Sequence, residues 1–360
     1  MRAGPSLDVL AGGVGVGVEV SSVRGDVVLA TSIPVDAVKI EATASRTVPT
    51  QVTFNAPPGW VPTDPRDALG NFGQRVQVVY LVDDHGRLER IPLGWYLIAS
   101  WNEGTDTVQV TALDLLQTLE ENPFAWGSSP AAGATLRTEC QRLAGTLPVI
   151  LDDGVDDVSV SPKSQWGTSR TEAVRDLCAA KGVGYRVGAD ACLHLYPLGD
   201  GSRPVAQYTA TDLLVDAPRS SVDRRPNRIY VTGTHTESVT RGKETVEVET
   251  KWTGTATATA EPYDPDTYGW VTDHREFSSA TSRSQVQAAA ETYMRNAVSA
   301  TTSRSLEIVA DPRIELGDVI SAVVTHPDGP EFLTGRVTAY SLPVGDPAGT
   351  MRIDIEEMTW

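Results

Sequence analysis

Two stretches of this 360-residue chain are written to one pattern. The first runs Arg75–Val82, Leu93–Ser100 and Thr107–Ala112, each alternating apolar and polar residues as half-buried strands do. The second runs Asp318–Val324, Leu333–Tyr340 and Met351–Glu356 in the same order. A glycine opens each copy, at Gly73 and Gly317. A turn carrying Asp and Gly joins the first two strands of each, Asp83–Gly86 and Asp328-Gly329. A polar turn precedes each last strand, Asn102–Gly104 and Gly345–Pro347. Such turns join antiparallel strands into meanders. A chain that carries one shape twice builds by repetition, which a single catalytic cleft does not require.

Between the copies the grammar changes. Thr135 can cap a helix over Leu136–Ala144, stopped by Gly145. Ser169-Arg170-Thr171-Glu172 has the form of a capping box and opens a helix with Ala173, Val174, Leu177 and Cys178 on one face, closed by Gly182. Gly184–Val187 and Cys192–Tyr196 then read as a small hairpin. Elsewhere the pattern is β. Met1–Gly17 reads as a glycine-rich extended arm or a strand with a mobile end, and Glu19–Leu29 and Val35–Phe54 read as strands. Asn55–Gly73, with four prolines, is a long loop, and Leu113–Leu119 a short helical turn. Asn227–Thr232 is a strand, and the alternation of Val246–Ala260 suggests a long two-sided hairpin arm. From Ser282 a helix carries Val286, Ala289, Ala290, Tyr293, Met294 and Ala297 as one buried stripe. Strand Ser305–Val309 follows, and the apolar Trp360 implies a tied-down end.

The expected fold is therefore mainly β with an α+β insertion. Its expected divisions are residues 1–121, 122–204 and 205–360, the last with a hairpin arm over about 233–280 and a helix over about 283–299.

Charge narrows the function. The formal net charge is −17, whereas a grip on nucleic acid needs clustered Lys and Arg. An acidic wall suits a conduit that phosphate passes without sticking; ordinary solubility is the plainer reading. No apolar run approaches the ~20 residues that span a bilayer, and no secretory h-region is visible, so no membrane partner is expected. Cys140, Cys178 and Cys192 form no disulfide framework, which fits folding in a reducing cytoplasm.

The order of elements resembles the hub proteins of bacteriophage tails, the group related to the T4 baseplate hub and to the N-terminal part of siphophage tail-associated proteins. Small tail proteins of actinobacterial phages share the layout. The phrases that carry the likeness are Leu93–Ile98 followed by Val110–Asp114, the stretch Ser169–Tyr196, Asn227–Val231 and Pro312–Ile320. The resemblance implies two tail-tube-like β-barrel domains plus a small α+β domain. It implies a homotrimeric ring that adapts the sixfold tube to a threefold tip. Its implied partners are the distal tail protein or tail tube, the tape-measure protein and a tip or fibre protein, with DNA passing through the lumen unbound. The implied location is the virion tail, assembled in the bacterial host cytoplasm. Many relatives continue into receptor-binding or wall-degrading regions; here such functions would belong to a separate protein.

Signatures of chemistry are weak. Gly12–Gly17 fails the G-x-G-x-x-G spacing, since Val18 stands where the last glycine belongs, and a flexible arm is expected there. Neither G-x-S-x-G nor H-E-x-x-H occurs. Cys192 and His194 share a strand face, which favours packing over zinc. Asp152–Asp157 is acidic but lacks the EF-hand order, and a solvated turn is expected. Trp60, Trp126, Trp166, Trp252 and Trp270, in or beside loops, suit a protein interface or sugar stacking. No catalytic, cofactor-binding or metal-ligating residue is therefore assigned, and no enzyme is expected. The alternatives are a tail-borne cell-wall glycan hydrolase with paired carboxylates and a carbohydrate-binding receptor module.

Overall fold

The computed structural model describes residues 1–198, 203–218, 224–241, 244–276, 282–299, 303–327 and 329–358. Two compact units emerge, Met1–Arg219 with Ser303–Trp360, and Ser220–Thr302. Asp328 and Trp360 lie outside the described residues.

In chain order, helix α1 (Leu7–Ala11) precedes strands β1 (Gly15–Arg24), β2 (Val27–Ala30), β3 (Asp36–Thr43), β4 (Thr50–Ala56), β5 (Gln74–Asp84), β6 (Arg87–Glu103) and β7 (Val108–Asp114). The insertion comprises α2 (Gln117–Glu120), α3 (Leu136–Ala144), β8 (Val149–Leu151), α4 (Arg170–Lys181), β9 (Val183–Val187) and β10 (Leu193–Pro197). Then come β11 (Ala206–Thr209) and β12 (Leu214–Asp216). The second unit holds β13 (Arg228–Arg241), β14 (Glu244–Thr257), α5 (Pro265–Tyr268), β15 (Thr272–Glu276) and α6 (Arg283–Ser299). The chain closes with β16 (Ser303–Val309), β17 (Val319–His326), β18 (Gly329–Pro343) and β19 (Thr350–Glu357). The fold is mainly β with an α+β insertion.

Both meanders form, within one 13-stranded sheet of the described residues. Its path runs β12-β16-β19-β18-β3-β4-β7-β6-β5-β1-β2, with β17 on β18 and β11 on β17. The halves match strand for strand. β4-β7-β6-β5 in the first corresponds to β16-β19-β18-β17 in the second. They match in register too. Phe54, Val110 and Trp101 stand side by side in the first, as do Leu306, Ile353 and Tyr340 in the second. Each long middle strand carries a bulge at the equivalent place, Ala99 in β6 and Thr338 in β18. The halves part company at their flanks, since β1 joins β5 antiparallel whereas β11 joins β17 parallel.

Local chemistry explains the turns. His85 (φ 53°) and Gly86 (φ 93°) take the two positive-φ positions of a tight hairpin turn, and the Asp83 carboxylate accepts the Gly86 N–H at 2.7 Å. Alternation buries Val76, Val78, Tyr80 and Val82 of β5, and Ile320, Ala322 and Val324 of β17, in one continuous core. Each fully buried Val, Ile or Leu there contributes about 1.5–3 kcal/mol. The insertion has its own core, with Leu136, Cys140 and Leu143 of α3 and Val174, Leu177 and Cys178 of α4 around Leu193 and Leu195. The Thr135 and Ser169 caps form as expected, and Gly182 ends α4 in the left-handed conformation.

Two expectations are corrected. The glycine-rich start is no loose arm: α1 forms, and β1 pairs with β5 from Gly15–Asp83 to Arg24–Gln74. The β5 edge offers main-chain partners, and pairing needs no side chain from Gly15 or Gly17. The residues 113–119 helix is shorter than expected, because β7 continues to Asp114 and leaves only Gln117–Glu120 helical.

In the second unit, β14-β13-β15 form a sheet and α6 packs on the β13–β14 pair. Val286, Ala290 and Met294 are buried against Ile229 and Val231, with Ala289, Tyr293 and Ala297 at the margin. Gly254 admits the helix, since a Cβ there would stand 2.5 Å from the Val286 carbonyl oxygen. Asn227 is buried and secures the strand entry. Its amide donates to the carbonyls of Tyr263 and Gly269, and its side-chain oxygen accepts the Val271 N–H, all at 2.9 Å.

The two meander-opening glycines make a paired test. Both have positive φ, 88° at Gly73 and 85° at Gly317. A Cβ on Gly73 meets open space, while one on Gly317 falls 2.1 Å from the Tyr196 ring. Gly73→Ala is expected to cost about 1 kcal/mol and Gly317→Ala about 3 kcal/mol or more. Equal losses in denaturant titrations would contradict this packing.

Candidate functional site

Buried charge concentrates in the first unit, on the loop between β16 and β17. Residues 310–318 are all buried, yet they include Asp311, Arg313, Glu315 and Asp318. Burying such groups requires pairing. Arg313 grips Asp311 in a two-pronged contact, Nε to Oδ1 at 2.9 Å and Nη2 to Oδ2 at 2.7 Å, and its Nη1 donates to the Pro5 carbonyl. The Tyr208 hydroxyl from β11 donates to Asp311 at 2.9 Å. Arg336 of β18 donates to the Gly317 carbonyl at 2.9 Å.

Arg2 joins both halves of the sheet to this loop. Its guanidinium donates to the carbonyls of Pro312 and Ile314, and to that of Leu93 in β6. Glu315 lies 3.6 Å from Arg2, 3.7 Å from Arg186 and 3.4 Å from the Met1 amine. Burial pushes the Glu315 carboxyl up; Arg2, Arg186 and the Met1 amine outweigh it and hold the group below the ordinary value. Asp318 takes the Met1 amine at 2.7 Å, but burial prevails there and raises its carboxyl.

Arg186 of β9 carries the network into the insertion. It donates to the Leu316 carbonyl and to Asp152 at 3.1 Å, and its guanidinium lies 4.9 Å from the Tyr196 ring centre. Asp152 also holds His194 Nδ1 at 2.6 Å, while Asp190 faces His194 Nε2 at 3.1 Å. Burial pushes the His194 imidazole down, and the two carboxylates outweigh it and raise it. The acidic run and the Cys192–His194 strand thus meet as a structural ion network, which corrects the solvated turn expected at Asp152. Cys192 does not face a base: its Sγ approaches the Asp190 carbonyl, and burial raises the thiol. Among the described residues no cluster of three or more His, Cys, Asp or Glu has the arrangement of a metal site. The network ties a loop, a hairpin and the first residues of the chain together; its geometry is that of a clamp.

The sequence reasoning missed Arg2, Arg186, Glu315 and Arg336. Pro312–Ile320 carried a signal, charged residues embedded in an apolar run beside a strand, but their partners lie far away in sequence.

The tryptophans divide. Trp166 donates its indole N–H to buried Glu139 at 2.6 Å, Trp60 packs against the main core, and Trp252 packs in the second unit. Those three are packing residues, which narrows the surface set to Trp126 (79% exposed) and Trp270 (49%). Phe332 (75%) and Val215 (54%) are further apolar groups in the open, on β18 and β12.

No family model matches the chain, and no curated protein matches it. Among solved structures it is similar to the tail protein from Neisseria meningitidis, with 12% identity, a TM-score of 0.60, and coverage of 95% of this chain and 97% of that one. It is also similar to the 43 kDa tail protein of prophage MuSo2 from Shewanella oneidensis, with 11% identity, a TM-score of 0.58, and coverage of 94% and 98%. At such identities the likeness is one of fold, and it spans nearly the whole chain.

Asp114 gives the site region a measurable pH response. It is buried beneath the end of β7, accepts the N–H groups of Thr50 and Leu116 at 2.9 Å each, and is pushed up to about 7 by burial. The folded chain therefore holds this proton more tightly than the unfolded chain does. Stability from this group is full below the unfolded value of about 4 and declines as pH rises towards 7, by on the order of 4 kcal/mol. Asp114→Asn is expected to flatten that part of a stability–pH curve, as chemical denaturation at pH 4 to 8 would register. An unchanged slope would place the proton elsewhere.

Proposed function

We propose that this protein is a structural hub of a bacteriophage tail, a homotrimer whose three chains supply six equivalent sheet units around a channel. The observation that carries the reading is the duplicated unit, β4-β7-β6-β5 and β16-β19-β18-β17, matched in register and in bulge position. Three copies of a twofold-repeated chain meet a sixfold tube on one side and a threefold tip on the other. The fold shared with two tail proteins supports the tail assignment.

In this reading residues 1–121 and 205–360 carry the tube-like halves, as barrel-type domains, and residues 122–204 the α+β domain. The distal tail protein or tube lies above, the tip or fibre protein below, and the tape-measure protein occupies the channel during assembly. DNA later passes without specific contact, which the net charge of −17 supports. The work is geometric, with no covalent step, performed in the virion tail after assembly in the host cytoplasm. The buried clamp around Glu315 keeps the two halves in fixed register while the tail transmits force.

Class-averaged electron micrographs of tails carrying labelled protein are expected to show three copies in a collar around an open passage. A single copy, or a location away from the tube axis, would sink the proposal.

A further inference from the structure

The second unit leaves one side of its sheet open. Ile229 and Val231 of β13 face α6, and Trp252 and Ala256 of β14 pack into the same cluster. Alternation sends their neighbours to the other side. The register there sets Arg228 and Tyr230 beside Thr257 and Thr255 of β14, and beside Thr272 and His274 of β15. Thr255, Thr257 and His274 are exposed, as is Trp270 just ahead of β15.

Four of these side chains form a stacked row. The Arg228 guanidinium lies 4.6 Å from the centre of the Trp270 ring and 5.5 Å from that of Tyr230. The Tyr230 and His274 ring centres are 5.1 Å apart, with the planes tilted by 31°. Arg228 Nε donates to the Thr272 hydroxyl at 2.9 Å, which helps hold the guanidinium plane.

The polar atoms of this row are open. Arg275, which lies over Tyr293 on the helix side, pairs with Asp273 at 2.8 Å. Arg228 has no carboxylate partner, in a chain with 47 acidic and 30 basic residues, and its two Nη groups make no hydrogen bond. The Trp270 indole N–H, the Tyr230 hydroxyl and the His274 ring nitrogens are likewise without a partner among the described residues.

A guanidinium braced between two rings is ready to make a two-pronged bond to an oxyanion. Aromatic side chains offer an apolar face and a polar tip, which match the C–H face and the hydroxyls of a sugar, and threonine hydroxyls can both donate and accept. These positions carry no Val, Leu or Ile, so the side lacks the aliphatic core of a permanent protein interface. One open guanidinium also falls short of the several cations that a nucleic-acid backbone requires. We infer that this face binds an acidic glycan: Arg228 takes a sugar carboxylate or phosphate, and Trp270 and His274 stack on the rings beside it. The chain thereby gains an adhesion site that stands apart from the collar reading and does not depend on it.

The test titrates the full chain by calorimetry with two acidic probes, a galacturonate hexamer and a phosphorylated mannan oligosaccharide. Their uncharged counterparts, the methyl-esterified hexamer and the dephosphorylated mannan, serve as references. At least one acidic probe is expected to saturate, and the two arms tell which oxyanion is preferred. Its uncharged counterpart should bind about tenfold more weakly or worse. Arg228→Lys keeps the charge and loses the two-pronged geometry, and Trp270→Ala removes the stacking surface; each is expected to weaken binding about tenfold or more. Trp126→Ala, at an exposed tryptophan of the insertion, should stay within about twofold of the parent. Circular-dichroism melts check that the variants fold; if Arg228→Lys does not, Trp270→Ala and the uncharged probes decide. No saturation by either acidic probe up to about 10 mM overturns the inference. So does undiminished binding by Trp270→Ala. Equally tight uptake of oligothymidylate or of tetraglutamate also overturns it, and assigns the face to nucleic acid or to an acidic protein.

Discussion

The pairing of β3 with β18 is the contact on which the rest of the first unit depends. It brings residues from opposite ends of the chain side by side, Lys39–Thr43 against Ala339–Pro343, and turns two meanders into one sheet. Without it β18 and β3 would each expose a row of unpaired main-chain groups, a liability that folded proteins avoid. It also aligns the halves so that Tyr340, Leu342, Ile40 and Ala42 enter the common core. The bulge at Thr338 makes the exchange of neighbours possible, because an extra residue bends the strand away from its first partner.

The buried charges are a second device for the same end. Hydrophobic contact is non-directional and tolerates sliding. Arg313 on the Pro5 carbonyl and Tyr208 on Asp311 do not, and neither does Arg2 spanning β6 and the loop before β17. Their net contribution to stability is modest, since desolvation offsets much of the attraction. What they supply is one permitted arrangement of loop, hairpin and chain start, consistent with a component whose task is to hold a shape.

Much of this was legible along the chain because it is local. Both meanders, the Thr135 and Ser169 caps, the Gly182 stop and the α6 stripe each follow from spacing within a few residues. Absence of side chains misled the reading of Gly12–Gly17, where the first residues of β1 are held by main-chain pairing with β5. Loop tryptophans misled in the other direction. Trp166, beside a loop, suited a protein interface or sugar stacking, yet its indole is held by Glu139, a buried carboxylate on α3.

By itself the sequence determined which residues could face a core, and how many times the sheet unit occurs, since a period of two needs only neighbours to be written. Tertiary structure decided which edges meet, which charges lie inside, and that Asp152, Arg186, His194 and Glu315 form one network. The reason is physical: strand edges present nearly identical main-chain groups, and a charge reveals nothing of its partner until the fold removes both from water.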